Sequence, residues 1–233
     1  MLQGSRWRLH DLTYRVKKYP STDRLSKSEV DGQMKLAFSM WEQVTDLRFS
    51  KRDSGSVHIE IAFEEYEHGD GDPFDGPGGT LAHAYFPQYG GDVHLDDTEY
   101  WTIESFKGTN LLQSITHELG HSLGLSHSDV RDAMMAPFYR GWDPYMKLDQ
   151  DDIIAIQALY GKKLLETTSN PTTTSFTGTL PTGTETNGTP ATRTEPPISI
   201  QPYSNTSLCS DPSIDTIIQT AADTHYVFRG EGY

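Results

Sequence analysis

Residues 117–127 read His117-Glu118-Leu119-Gly120-His121-Ser122-Leu123-Gly124-Leu125-Ser126-His127. On a helix, His117 and His121 project from one face, where both imidazoles can share a tetrahedral Zn2+. Glu118 is then placed to reach a water on that ion. Gly124 lets the chain leave the helix and turn back, which carries His127 to the same ion as a third ligand. Three neutral imidazoles leave the metal its full charge and one position for water, whose pKa falls towards ~7. For a chain of this His and Glu content the extended pattern arises by chance in roughly 1 in 10,000 sequences, so three unrelated core histidines account for it poorly.

Outward from this segment, the helix that carries it is expected from about Thr109 to Gly124, with Leu111, Leu112, Ile115 and Leu119 on its inner face. Ser26-Lys-Ser-Glu29 is a capping box, and Val30, Met34, Phe38 and Trp41 follow at helical spacing, which predicts an amphipathic helix of roughly 18 residues. A third helix is predicted from an N-cap at Asp149, with Asp152 at its third position and Gly161 as its stop. Residues 12–16 and 57–63 read as strands, being rich in β-branched and aromatic side chains or alternating in polarity. Between residues 66 and 92 the chain is rich in Gly, Asp and Pro, a long loop of the kind that is usually functional in a compact domain.

The whole chain has 233 residues, 35% of them hydrophobic, enough for one core of about 150 residues plus a less ordered remainder. No apolar run reaches the ~18 residues of a bilayer span. A net charge of −14 repels phosphate and argues against nucleic-acid binding. One cysteine, Cys209, permits neither an internal disulfide nor a cysteine zinc ribbon. The acid is clustered, in Glu64, Glu65, Glu67, Asp70, Asp72 and Asp75, then in Asp92, Asp96, Asp97 and Glu99. A solvated acidic surface is the plainer account of such runs. Here glycines flank Asp70 and histidines recur among the acids, which favours bound cations that relieve the self-repulsion.

The His117–His127 pattern resembles the metzincin zinc-binding motif. Ala133-Met134-Met135-Ala136-Pro137 follows it as that family's Met-turn does, with Met135 in the place beneath the metal. Ser128, directly after the third His, is similar to the matrixin branch, the matrix metalloproteinases. The likeness runs over residues 5–161 and includes Trp7, Leu12-Thr-Tyr-Arg, Ala37-Phe38, Trp41, Phe74-Asp-Gly-Pro-Gly-Gly and Leu81-Ala-His-Ala. It implies an α+β metzincin protease fold for residues 1–163: a twisted, mostly parallel five-stranded sheet with three helices.

The resemblance also implies further ligands. It assigns His68, Asp70, His83 and His94 to a structural zinc, and three His with one carboxylate do fill a tetrahedral shell with no open position. A calcium would use Asp75, backbone oxygens at Gly76, Gly78 and Thr80, then Asp96 and Glu99, a hard oxygen set. A second calcium, involving Asp92, has His58 in place of the family's aspartate and a shorter Gly-rich loop before it. A third would draw on Asp23, Asp97 and Glu99.

What the resemblance implies for function is a zinc-dependent endopeptidase that cuts extracellular matrix proteins, with collagen degradation among its roles and Glu118 as general base. The substrate would lie extended between an edge strand at Ala82 and Ala84 and the segment at Pro137 and Tyr139. Gln113 and Ser114 would line the main specificity pocket, where matrixins usually carry Val at the second position. Protein inhibitors of metalloproteinases are implied partners, and the location would be extracellular, secreted or tethered. An alternative from another class is a catalytically silent, metal-stabilised protein that binds matrix or inhibitors. The intact Glu118 argues against it, since a decoy needs no general base.

Beyond residue 163 the composition changes. From Thr167 to Thr194, 13 of 28 residues are Thr, so residues 164–207 are expected to be a disordered Thr/Pro-rich linker. Residues 208–233 look like the opening of a hemopexin-like propeller, in which the family's equivalent of Cys209 pairs with a cysteine at the propeller's end. Here that thiol is expected to be free and the tail poorly packed. With no signal peptide or cysteine-bearing prodomain in view, the sequence reads as a piece of a longer protein.

Overall fold

The computed structural model describes residues 4–163. The expected linker, the hemopexin-like tail and Cys209 lie outside the described residues.

The first strand, β1 (Asp11–Lys18), buries Leu12, Tyr14 and Val16 on alternate positions. The first helix, α1 (Lys27–Val44), begins at the capping box: Ser26 Oγ accepts from Glu29 N and Ser26 N donates to the Glu29 carboxylate. Its buried stripe of Val30, Met34, Ala37, Phe38 and Trp41 covers the sheet, with the Phe38 ring stacked 4.0 Å from Tyr14. Strands β2 (Arg48–Lys51), β3 (Ile59–Glu64) and β5 (Val93–Asp96) all join parallel, while β4 (Ala82–Ala84) pairs antiparallel with β5. The sheet order is β2-β1-β3-β5-β4, so β4 is an edge. This is the mostly parallel five-stranded sheet that was expected.

Helix α2 (Leu111–Ser122) lies on the same face of the sheet as α1, tied to it by Trp41 Nε1 donating to Thr116 O at 3.0 Å. Helix α3 (Gln150–Tyr160) closes the domain; Asp149 caps it, Asp152 completes the box, and Gly161 ends it. Strands β6 (Trp101–Thr102) and β7 (Thr109–Asn110) form a small parallel pair that the sequence pattern does not reveal, because two residues carry no periodicity. The predicted loop over residues 66–92 is partly regular: it contains β4 and a 3-10 turn at Pro87–Tyr89. No described helix is long and apolar enough to cross a membrane.

Candidate metal centre

Helix α2 presents one row of side chains, Gln113, His117 and His121, four residues apart. Both histidines are fully buried. His117 Nδ1 donates to Met134 O and His121 Nδ1 to Leu125 O, each at 2.7 Å. Those two bonds fix the tautomer, so both Nε2 atoms are lone-pair acceptors, and they face each other 3.0 Å apart. Two acceptor nitrogens in a buried site repel unless a cation lies between them. Burial, followed by the charges of His121 and His127, holds the His117 imidazole well below its ordinary pKa, which keeps it in the ligating neutral form.

Past His121 the helix ends in a Schellman turn: Gly124 N donates to His121 O at 2.8 Å and Leu125 N to Gly120 O at 2.9 Å. Gly124 sits at φ +101°, and a Cβ there would strike the carbonyl of Ser5, so the turn needs glycine twice over. The turn delivers His127, whose ring centroid lies 5.3 Å from that of His117 and 4.9 Å from that of His121. One ring nitrogen from each of the three falls within a 4.8 Å cluster. Burial pushes the His127 imidazole down to about 3. Three neutral nitrogens on a convergent face suit Zn2+, and Glu118 is fully buried beside them on α2.

Beneath this row runs the Met134–Met135 turn. A Cβ on Gly120 would collide with the Met135 thioether, so the helix has a glycine where the turn approaches most closely. Asp152 fastens the turn from below: its carboxylate accepts from Met134 N at 2.7 Å, Met135 N at 3.0 Å and Asp149 N at 2.8 Å. Burial raises its pKa while these three donors pull it down. Sequence reasoning reached Asp152 only as a capping residue. Its grip on the Met-turn left no local signal, since the partners are 17 and 18 residues away.

The second cluster unites the loop with two strands. His83 and His94 are a cross-strand pair of β4 and β5. Asp70 Oδ2 lies 2.7 Å from His68 Nε2, 2.9 Å from His83 Nε2 and 2.8 Å from His94 Nδ1. His94 Nδ1 is also 3.1 Å from the ring nitrogens of both other histidines. His68 is oriented by donating Nδ1–H to Tyr66 O at 2.7 Å, from a residue held at φ +47°, a conformation uncommon outside glycine. Phe74 stacks on His68 and His83, 4.9 Å from each, and seals the cluster. Four donors at the corners of a small tetrahedron match a closed zinc shell.

The acidic residues group less tightly. Asp96 Oδ2 is buried with no hydrogen-bond partner among the described residues, and burial raises both Asp96 and Glu99. Glu99 accepts from Gly78 N at 2.5 Å and Asp75 from Thr80 N at 2.9 Å, so the 75–80 loop wraps these carboxylates. Asp97 instead accepts from Ser21 N with both oxygens, and Asp23 is exposed. Asp92 accepts from Glu60 N at 2.8 Å, and His58 Nδ1 accepts from Thr13 N at 3.0 Å. At that position an imidazole engaged with β1 replaces the hard oxygen of a second calcium.

Two edges flank the histidine row. In β4, Leu81 O accepts from Asp96 N and Tyr85 N donates to Asp92 O, both at 2.9 Å. The alternation of the strand therefore turns the backbone groups of Ala82 and Ala84 outward, away from β5. On the other side, Tyr139 Oη accepts from Asn110 N at 2.5 Å and brings the Pro137–Tyr139 segment against the start of α2.

A family model described as "Matrixin" matches residues 6–161. The chain is 50% identical over 141 residues to a hatching enzyme of Paracentrotus lividus, covering 60% of this chain and 24% of that protein. It is 45% identical over 182 residues to stromelysin-3 of Mus musculus, 77% of this chain and 36% of the relative. It is 48% identical over 162 residues to macrophage metalloelastase of Rattus norvegicus, 68% and 34% respectively. The chain thus spans between 24% and 36% of the length of these relatives.

Proposed function

The chain belongs to the matrixin family, and from this we propose that residues 1–163 are the catalytic domain of a zinc-dependent metalloendopeptidase. The observation that carries the proposal is the convergence of His117, His121 and His127 with Glu118 beside them.

His117, His121 and His127 would hold the catalytic zinc, which supplies a Lewis acid for the scissile carbonyl and lowers the pKa of water. The carbonyls of Met134 and Leu125 keep two of those imidazoles in the ligating tautomer. Glu118 takes a proton from the attacking water and passes it to the leaving amine as the carbon–nitrogen bond breaks. Its burial keeps bulk water from competing for that proton. Ala82 and Ala84 offer an outward backbone edge on which an extended peptide adds as a strand, with Pro137 and Tyr139 walling the opposite side. Met135 supports the histidine row from below.

His68, Asp70, His83 and His94 would hold a structural zinc that clips the 66–92 loop to the sheet. The unpartnered Asp96 oxygen, with Glu99 and Asp75, supports one calcium completed by backbone oxygens at Gly76, Gly78 and Thr80. Likeness to a metalloelastase supports extracellular matrix proteins as substrates, an extracellular location, and protein inhibitors of metalloproteinases as partners. A fluorescence-quenched collagen-like peptide, assayed with zinc and calcium and again with chelator, tests the assignment. Cleavage abolished by chelator is expected, and absence of cleavage by zinc-loaded protein sinks it.

A further inference from the structure

Residues 4–10, ahead of β1, are held against the domain by three long-range bonds. Arg6 Nη1 donates to Leu159 O, Trp7 N to Tyr160 Oη at 3.1 Å, and Trp7 Nε1 to Ser122 O at 2.9 Å. A cavity of about 640 Å³ is lined by this segment together with Pro87 and Gln88 of the 3-10 turn. Both walls are therefore set before any ligand arrives.

The charge of this cavity opposes that of the molecule. The chain carries a net −14, yet Arg6, Arg8 and His10 line the cavity and no acidic side chain does so among the described residues. Arg6 gives one Nη to a carbonyl rather than a carboxylate, so that bond leaves its charge in place. Arg8 is exposed and forms no ion pair among the described residues. Only His10 has an acid beside it, Asp46 Oδ2 at 3.2 Å from Nδ1. Physiological salt screens exposed charges beyond about 8 Å, so a ligand in the cavity meets this local excess of cation.

The arrangement also selects among anions. The basic residues stand at every second position, at most ~7 Å of chain apart, and so make a row instead of a single nest. A row matches charge repeated along a linear polymer. Arg guanidinium groups, with their planar fork of donors, suit oxyanions. The Gln88 amide both donates to and accepts from hydroxyls, and the half-buried Trp7 indole offers an apolar face to a sugar ring.

We propose that this cavity binds a sulfated polysaccharide, with Arg6 and Arg8 pairing with its sulfates and Gln88 with its hydroxyls. The binding uses neither histidine cluster and stands apart from the endopeptidase assignment.

The test passes the full chain, loaded with zinc and calcium, over immobilised heparin at low salt, about 50 mM. Retention is expected, against the sign of the net charge. Arg8→Glu should weaken binding of a heparin oligosaccharide about tenfold or more, because a charge-assisted bond is lost and a repulsion gained. Arg8→Gln should weaken it less, and circular dichroism reports that each variant is folded. Lys35→Glu makes the same charge change at an exposed position of α1 and should leave the affinity as it was. An unretained chain, either Arg8 variant binding as the unmodified chain does, or equal weakening by Lys35→Glu overturns the site. Competition by desulfated heparin or by polyglutamate as strong as that by heparin overturns the choice of a sulfated glycan.

Discussion

The two histidine clusters are built from similar parts and differ by one donor. On α2 and its exit turn, three nitrogens converge beside a buried glutamate, from elements that would be regular in any helical protein. At the 66–92 loop, three nitrogens are joined by Asp70, whose Oδ2 lies within 2.9 Å of all three. In the proposed holo form the fourth donor closes the shell of one ion, and its absence leaves the other open to water and a carbonyl oxygen. Their supports differ as well. The helical cluster stands on packed secondary structure, with Met135 and Asp152 below it, whereas the loop cluster itself takes the place of a core for its segment.

The largest effect that would test this contrast is on catalysis. Glu118→Ala should lower kcat/KM by about 10²- to 10⁴-fold while zinc content and circular dichroism are retained. A variant with near-normal turnover would remove the open cluster from the mechanism. Next in size is the closed cluster. Asp70→Ala is expected to lower Tm by about 10 °C, because losing one member of a buried charged set costs roughly 3–5 kcal/mol and ~1 kcal/mol shifts a domain of this size by 2–4 °C. An unchanged Tm would mean that the loop is held by Phe74 and the backbone alone.

A chelator titration followed by both activity and tryptophan fluorescence should sharpen the comparison further. Activity is expected to fall before the fold does, since the open site has one donor fewer; coincident loss would erase the distinction. Asp152→Asn retains shape but turns an amide nitrogen towards backbone donors. It should cost about 1–3 kcal/mol by denaturant unfolding, along with a drop in kcat, as the Met-turn loosens. The smallest effect is expected of Gly120→Ala, a net loss of about 1 kcal/mol or less by the same measurement, because the flexible Met135 thioether can yield and alanine gains ~1 kcal/mol over glycine inside a helix.

Much of this was legible in order along the chain. The α1 capping box, the Asp149 cap and the Gly161 stop act over one turn, so Ser26, Glu29, Asp149 and Asp152 announced helices whose observed starts match. α2 came out two residues shorter at each end than expected: Asn110 serves as its N-cap and Leu123 as its C-cap, where the periodicity had run on into the flanking turns. β2, β6 and β7 left no pattern because strands of two to four residues are too short to show one. Trp7 was noted as part of the family likeness, yet its bond to Ser122 O, 115 positions away, could not be read from spacing.

By itself the sequence determined which donors exist and which of them share a helical face, because a spacing of four on an α-helix is geometry that needs no partner. It also determined that a glycine would break the helix before His127. Only the tertiary structure decided that carbonyls of Met134 and Leu125 aim the imidazoles, and that Asp152 pins the turn beneath them. The Met134 and Asp152 bonds join residues 17 and 18 positions apart, and the Leu125 bond depends on the turn that follows the helix; all arise from packing, which no local pattern encodes.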